Sequence, residues 1–406
     1  MANTSPEQLA RQLLDQCLAG ERWSHSTLDL LLDQCDSEPG SRALFQGLVE
    51  PLGDRFDLVL ADYYADIFSY AIARTLPGVK AHELRARYNR MRTGSLFETG
   101  NPKRVYVLSR VTLGADIAIT SQCLTAAAER FPDAAIYFVG SPRNFELFAG
   151  DSRFALHQAA YQRSGLLADR LAAGKALEQS LHLEEAIVID PDSRLTQLGL
   201  LPPGGERQYT FFESRTAGGS GTASLSQLTA DWLERTLHVS RTSPWTNPVC
   251  PISVPAADVT VSFGTGENPA KRIGERFEIE VVQGLIEMGA SVLIDEGGSA
   301  AESAQVQSIA ASTGAATFKG SFACFAKAIQ TSKLFVGYDS VGQHAAGALG
   351  IPLVVAFNGW VNQRMFERWQ PAGSGQRKVL QVQQGGELNL ASEVLAAAKN
   401  FLRSKK

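Results

Sequence analysis

The run Asp339-Ser340-Val341-Gly342-Gln343-His344 gathers side chains that can hold a sugar or a phosphate. Its carboxylate, hydroxyl, amide and imidazole groups hydrogen-bond sugar hydroxyls or phosphate oxygens. Gly342 reads as a point where a ligand approaches the backbone. The run follows Leu334 to Tyr338, an apolar stretch suited to a strand buried on both faces. It opens an Ala- and Gly-rich helix, about Val341 to Leu349, which Gly350 ends before Pro352 starts the next strand. Asp339 or Ser340 can cap that helix. A helix start at the carboxyl end of a parallel strand offers free N–H groups and partial positive charge, which suit a phosphate. The same residues also describe an ordinary capped helix with a surface histidine.

Other runs are less specific. Asp190-Pro191-Asp192 follows a strong strand, Ala186 to Asp190. A D-x-D can hold a divalent ion on a nucleotide-sugar diphosphate, but it serves equally as a turn or as cleft lining. Arg194, two residues on, suits an acceptor phosphate or carboxylate. Ala217 to Gly221 is glycine-rich but lacks the Lys-Ser/Thr ending of a P-loop, and reads as a mobile cover. Gly264 to Pro269, GTGENP, is not a dinucleotide fingerprint.

The chain of 406 residues has room for two or three domains, and 44% hydrophobic with 20% charged residues is an ordinary globular composition. A net charge of -4 gives no general attraction to nucleic acid. No apolar run is long enough for a membrane span and the N-terminus has no signal-peptide pattern, so a cytoplasmic protein is expected. Five cysteines are scattered without a CxxC pair, so free, mostly buried thiols are expected rather than a zinc site or a disulfide framework.

Residues 1–100 read as helices, including one from about Leu58 to Leu76, with Arg85, Arg87, Arg90 and Arg92 on a basic tail. Strand–helix alternation begins at Arg104: strand Val105–Leu108, a turn at 112–116, a helix, then strand Ala135–Val139. A helix over 163–180 and a strand at 208–213 follow. Four prolines mark 241–257 as a linker, and a second alternating half starts at Asp258. The last helix is expected at about 387–402.

The segment with Asp339, Ser340, His344, Ala346, Ala348, Gly350 and Pro352 resembles the donor-site signature of glycosyltransferase family 9, the ADP-heptose:lipopolysaccharide heptosyltransferases. The opening Arg110…Leu113-Gly114-Ala115-Asp116, followed by a helix and Phe131-Pro132, resembles the family's first turn, with Ala115 inserted before the Asp. The resemblance implies an α/β fold of GT-B architecture: two Rossmann-like domains facing across a cleft, preceded here by an N-terminal helical module. The divisions would be 1–100 helical module, 104–240 acceptor domain, 241–257 linker, 258–385 nucleotide-sugar domain and 386–406 C-terminal helix.

It implies Asp116 as the general base that takes the acceptor proton, as a carboxylate at a strand's carboxyl end can. Asp116→Ala should then abolish transfer and spare donor binding. Lys271 matches a lysine that contacts the donor diphosphate, where a cation offsets the leaving group's charge. Glu302, with Glu296 second, matches a glutamate that holds the ribose. Ser340, Gly342, Gln343 and His344 would meet the diphosphate, and Asp339 the sugar hydroxyls. Asn358 and Gly359 stand where the family has another cleft turn, while Trp360, Phe366 and Trp369 read as packing. Bland alternatives remain: Asp116 as a helix cap, Lys271 as a surface residue, Glu302 as a first-turn acid. The implied reaction is inverting transfer of heptose from ADP-heptose, without metal or cofactor, to a saccharide, glycolipid or protein acceptor such as lipopolysaccharide core. A nucleotide-sugar epimerase and a non-catalytic sugar-nucleotide-binding scaffold are the alternatives. Peripheral inner-membrane association and self-association through the N-terminal module stay open.

Overall fold

The computed structural model describes residues 4–94, 96–162, 164–266, 268–382 and 389–403. Glu267 of the GTGENP loop, residue 163 and residues 383–388, where the second half should end and the last helix begin, lie outside the described residues.

Two parallel sheets carry the fold. The first contains β1 (Arg104–Leu108), β2 (Ala135–Gly140), β3 (Phe154–Gln158), β4 (Ala186–Asp190) and β5 (Tyr209–Phe211), in the order β3-β2-β1-β4-β5. The second contains β6 (Val259–Ser262), β7 (Val292–Asp295), β8 (Ala316–Phe318), β9 (Leu334–Tyr338), β10 (Leu353–Phe357) and β11 (Arg377–Gln381), in the order β11-β10-β9-β6-β7-β8. β1 pairs with β2 and β4, and β6 with β7 and β9, all in parallel. The strand order therefore reverses beside β1 and beside β6. Those switch points, at the carboxyl ends of the strands, are where open α/β sheets bind ligands.

Strands buried on both faces need helices on both sides. Val105, Val107, Ile187 and Ile189 pack with Leu124 and Ala127 of helix Ser121–Arg130 and with Leu233 and Leu237 of helix Leu225–Leu237. The opposite face, Tyr106, Leu108, Val188, Tyr209 and Phe211, is covered by Tyr64, Phe68 and Ile72 of helix Leu58–Thr75 and by the helices before it. The helical module is thus the second layer of the first sheet, not a separate unit ahead of it. Its basic tail is also tied down: Arg85 and Arg92 pair with Asp62, Arg90 pairs with Glu206, and Arg87 donates to the Gly204 carbonyl.

In the second sheet, Val259, Val261, Ile294 and Val336 pack with helix Glu275–Glu287 and helix Leu390–Arg403. On its other face Phe335, Leu353 and Val355 join Phe325, Ala345 and Ala346 in a cluster continuous with that of the first sheet. Helix Val341–Ala348 lies in this seam, which explains its small residues. A Cβ on Gly342 would stand 2.3 Å from the Phe335 ring, and one on Gly347 2.3 Å from the Ala372 carbonyl oxygen. The expectation that Gly342 admits a ligand is therefore corrected: its missing side chain admits Phe335.

The cysteine expectation is corrected as well. Cys250 of the linker is bonded to Cys324 of helix Phe322–Thr331, across 74 residues of sequence, while Cys17, Cys35 and Cys123 are free and buried. Among the described residues no helix is long and apolar enough to cross a membrane.

Gly342→Ala should destabilise the protein by roughly 1–3 kcal/mol, the usual cost of forcing an extra methyl into a packed site. Urea unfolding of the variant measures it, and an unchanged midpoint would mean that Phe335 has room to move.

Candidate active site

The carboxyl ends of the two sheets face one cavity of about 1040 Å³. Its walls come from three parts of the chain. The first sheet gives Ser109 to Ala115 and the loop around Asp192 to Leu198; the second gives Gly264 to Gly266, Lys271, Glu302 and Asp339 to Val341. The helical module gives Phe45, Val49, Glu50, Gly53, Asp54, Phe56 and Tyr64.

In the second-sheet wall, β9 delivers Asp339 and Ser340 to the start of helix Val341–Ala348. Ser340 is the N-cap, yet its hydroxyl makes no capping bond and, though buried, has no partner among the described residues. Asp339 is buried; its carboxylate accepts from Lys271 Nζ at 2.8 Å and from the Gln343 amide. Burial raises the Asp339 pKa, and Lys271 opposes that rise. Lys271 also donates to the Asp339 carbonyl at 2.9 Å, so one cation serves a carboxylate oxygen and the backbone oxygen of one residue. Its short turn, Pro269–Lys271, is braced from behind: Asn358 donates to the Ala270 carbonyl at 3.1 Å, and Gly359 lies flat against Ala270. Asn358 and Gly359 therefore support the lysine loop rather than line the cleft, which corrects their expected role.

His344 lines the cleft although it is buried, and its ring meets Trp369 edge-on at 5.9 Å between centroids. Burial first, then Lys271, lowers its pKa from 6.5 to about 3, so the ring is neutral and offers one N–H donor. Trp369 is a cleft residue and not only packing, a correction of the sequence reading. Gln343 points away from the cavity, donating to Asp339 and to the Trp369 carbonyl. Glu302 lines the cleft beside Gly264 and Gly297, and accepts from the Ser299 backbone and hydroxyl as part of a capping box. Glu296 is turned away onto Ser303, Gln307 and Thr317.

The first-sheet wall departs most from expectation. Asp116 has no exposed surface. Its carboxylate accepts from Ser109 Oγ, the Arg110 N–H and Thr120 Oγ1, each at 2.7 Å, and from Asn144 Nδ2 at 2.5 Å. Four donors occupy its lone pairs, and the cavity face of this turn is Ala115. The expectation of Asp116 as an open base is therefore corrected: it is a knot that fixes the Ser109–Ala115 turn. Burial raises its pKa while the four donors lower it.

Of the D-x-D run, Asp190 is turned inward and Asp192 lies at the cavity wall with its carboxylate already engaged. Asp190 accepts from the Ser193 N–H, Thr196 and Tyr209, and burial raises its pKa to about 6. Asp192 faces Ser214 and Arg215. Among the described residues no group of His, Cys, Asp or Glu is arranged to hold a metal ion. Arg194 does reach the cleft, where it pairs with Glu50 of the helical module. The loop read as a mobile cover is fastened to the second half: Arg368 donates to the carbonyls of Ala217, Gly219, Gly221 and Ala223.

Sequence reasoning missed Glu50, Asp54 and Arg215, took Arg110 only as part of the opening motif and read Trp369 as packing. The polar density of Glu213-Ser214-Arg215 was a signal for Arg215; nothing local marked Glu50 or Asp54.

Asp116→Ala should cost on the order of 3 kcal/mol or more, because it strands several buried donors, and chemical denaturation would reveal it. Equal stability would return Asp116 to the list of free carboxylates. For His344, the unfolded ring takes up a proton between about pH 6.5 and 3 that the folded ring refuses, so stability falls as pH drops through that window. His344→Gln removes this contribution. The stability gap between wild type and variant should then change with pH by up to about 1.4 kcal/mol per unit between about pH 6 and 4. The raised Asp190 and Asp295 groups act in the opposite sense but cancel in that difference. A pH-independent gap would mean that the folded ring is protonated.

No protein-family model and no curated sequence matches this chain. Solved structures do match its fold. A family 9 glycosyl transferase from Veillonella parvula superposes with a TM-score of 0.57 at 15% identity, over 74% of this chain and 97% of that one. The E. coli ADP-heptose lps heptosyltransferase II gives 0.53 at 16%, over 74% and 99%. E. coli heptosyltransferase WaaC with ADP gives 0.53 at 14%, over 75% and 100%. The match leaves out about a quarter of this chain, a share equal in size to the helical module. This chain has the GT-B fold of the family 9 heptosyltransferase structures.

Proposed function

We propose that this protein is an inverting glycosyltransferase that moves a sugar from a nucleotide diphosphate donor to a hydroxyl acceptor in the cavity. The observation that carries the reading is the second-sheet wall. Lys271, the unpartnered Ser340 hydroxyl, the free helix start behind it and the neutral His344 ring converge on one patch. Such a patch meets a diphosphate with a cation, hydrogen-bond donors and a helix dipole. The name of the WaaC structure, with ADP, and that of heptosyltransferase II favour ADP-heptose as donor and lipopolysaccharide core as acceptor.

In this reading Lys271 turns from Asp339 to the diphosphate when donor binds. Glu302, beside Gly264 and Gly297, receives the ribose hydroxyls, and Asp339 the sugar hydroxyls. The acceptor oxygen attacks the anomeric carbon from the first-sheet side. The C–O bond to the diphosphate breaks, its electron pair stays on the diphosphate, and the acceptor proton passes to a carboxylate. Lys271 and the helix start meet the charge that grows on the leaving group, so no metal ion is needed. Arg194 belongs to the acceptor side. Asp116 contributes by holding the turn that forms the floor.

A second reading, a sugar-nucleotide-binding scaffold without transfer, draws on the sealed Asp116. One assay separates the two. The wild-type chain is incubated with a panel of nucleotide sugars, ADP-heptose first, and a lipopolysaccharide-core oligosaccharide, and free nucleotide and glycosylated product are followed. Transfer with inversion supports the enzyme; ADP binding with no turnover on any donor supports the scaffold. Lys271→Met should weaken donor binding roughly 10- to 100-fold, the worth of one charge-assisted contact. Unchanged donor affinity would remove Lys271 from the site.

A further inference from the structure

We propose that the helical module completes the acceptor half of the cavity, and that its Asp54 is the carboxylate that takes the acceptor proton. The inference rests on the transferase reading above and adds a residue to it.

Among the described residues six carboxylates line the cavity, and five of these are already occupied. Asp192 accepts from Ser214 and pairs with Arg215; Asp339 pairs with Lys271; Glu50 pairs with Arg194. Glu302 is held in its capping box, and Asp295 accepts from Ser262 and the Gly297 N–H. Asp54 differs from all of them. Its side chain is accessible from the cavity, and among the described residues none donates a hydrogen bond to it. A proton acceptor in waiting needs that free lone pair.

The backbone holds Asp54 in place from both sides. It follows the helical turn Glu50–Gly53, whose Gly53 lies against Arg215 and Leu198 of the first-sheet wall. On the other side the Arg55 carbonyl accepts from Asn362 Nδ2 at 3.0 Å and the Phe56 carbonyl from Arg364 Nη1 at 3.2 Å. Phe56 has a left-handed backbone, φ 54°, and its ring meets Trp369 edge-on at 6.4 Å between centroids. Trp369 in turn meets His344. Two ring contacts thus connect the residues beside Asp54 to the wall assigned to the donor. The module therefore clamps Asp54 at the junction of the two halves, where an acceptor hydroxyl must meet an anomeric carbon.

The electrostatics fit the role. Crowding by protein raises the Asp54 pKa; Arg194 lowers it, Glu50 raises it, and Arg110 and Arg215 lower it. A carboxylate made more basic by its surroundings accepts a proton better than an ordinary one. Phe45, Val49 and Tyr64 add apolar surface next to these charges, a mixture suited to a saccharide with polar edges and an apolar face. In the step itself, the acceptor oxygen bonds to the anomeric carbon and the diphosphate leaves with the electron pair of the broken C–O bond. The hydroxyl proton moves to Asp54 and is released to water after the product departs.

The test compares wild type with Asp54→Asn, Asp54→Glu and Asp54→Ser, using ADP-heptose and the other nucleotide sugars with lipopolysaccharide-core oligosaccharide. ADP-induced thermal shift serves as the binding readout. Asp54→Asn should lower kcat by about 10²- to 10⁴-fold while donor KM and the ADP shift stay at wild-type values. Asp54→Glu, which keeps a carboxylate, should retain far more activity than Asp54→Ser. A kcat for Asp54→Asn within about threefold of wild type overturns the proposal, as does Asp54→Ser outperforming Asp54→Glu. If the wild-type chain binds ADP but transfers from no donor, the transferase reading falls and this inference with it. If the wild type transfers and Asp54→Asn does too, only the role of Asp54 falls.

Discussion

A parallel sheet cannot leave a face to water, because its strands are apolar on both sides. The first sheet here meets that demand with Tyr106, Leu108, Val188 and Phe211 buried under helices that precede it in sequence. Once those helices are required as a layer, their ends must lie somewhere along the sheet. Residues 45–56 end at its carboxyl edge, where the ligand crevice of such a sheet opens. A covering layer thereby becomes a wall of the cavity, and Glu50 and Asp54 come to face Arg194 and Arg110 without any local sequence pattern to announce it.

The same layer helps hold a backbone that would not otherwise keep its shape. Val111, Asp192, Gln197 and Leu198 all line the cavity with left-handed φ between 51° and 76°. Such conformations cost non-glycine residues about 1–3 kcal/mol each, most for a β-branched one like Val111. Three of the four have a side chain bonded to their backbone. Ser109 Oγ accepts from the Val111 N–H at 2.8 Å, the Tyr64 hydroxyl donates to the Gln197 carbonyl at 2.8 Å, and Arg215 donates to the Leu198 carbonyl at 3.2 Å. Arg215 itself is sandwiched between Asp192, Glu213 and the Tyr64 ring, 4.4 Å from its centroid. Strain at the cavity edge is thus offset by contacts that run back into the helical module, which makes the module part of the site's geometry.

What the sequence disclosed follows from the range of the interactions involved. The second-sheet wall is built within short spans: strand, turn and helix from Leu334 to Ala348 lie in one run, and the turn with Lys271 follows its own strand closely. Periodicity and turn residues read such units well, and the two parallel sheets were legible for the same reason. Orientation was not legible. Whether Ala115 or Asp116 faces the cavity depends on a π-helical turn over Asp116–Thr120 and on Asn144, which approaches from another loop. Gly342 was read for a ligand because its constraint, the Phe335 ring, lies on the strand beneath. The bond between Cys250 and Cys324 and the grip of Arg368 on the 217–223 loop join residues too far apart for spacing to betray them.

The two walls also differ in how their charges are kept, and that difference suits a division of labour. Lys271 and Asp339 hold each other across 2.8 Å, with side chains 17% and 5% exposed. In so dry a place each charge stabilises the other, and neither can be left bare without a large cost. In the proposed function an incoming diphosphate resolves this by offering Lys271 a second anion, so donor and pair are compatible only if Asp339 gains another donor in exchange. The sugar hydroxyls are the donors that the ligand itself brings. Facing them, the first wall keeps its arginines already committed, to carbonyls, carboxylates and an aromatic face, and the helical module sets beside it Asp54, to which no described residue donates. A wall with an open donor set and a wall with an open acceptor complement each other across the cavity, which suits the proposed transfer of a sugar to a hydroxyl.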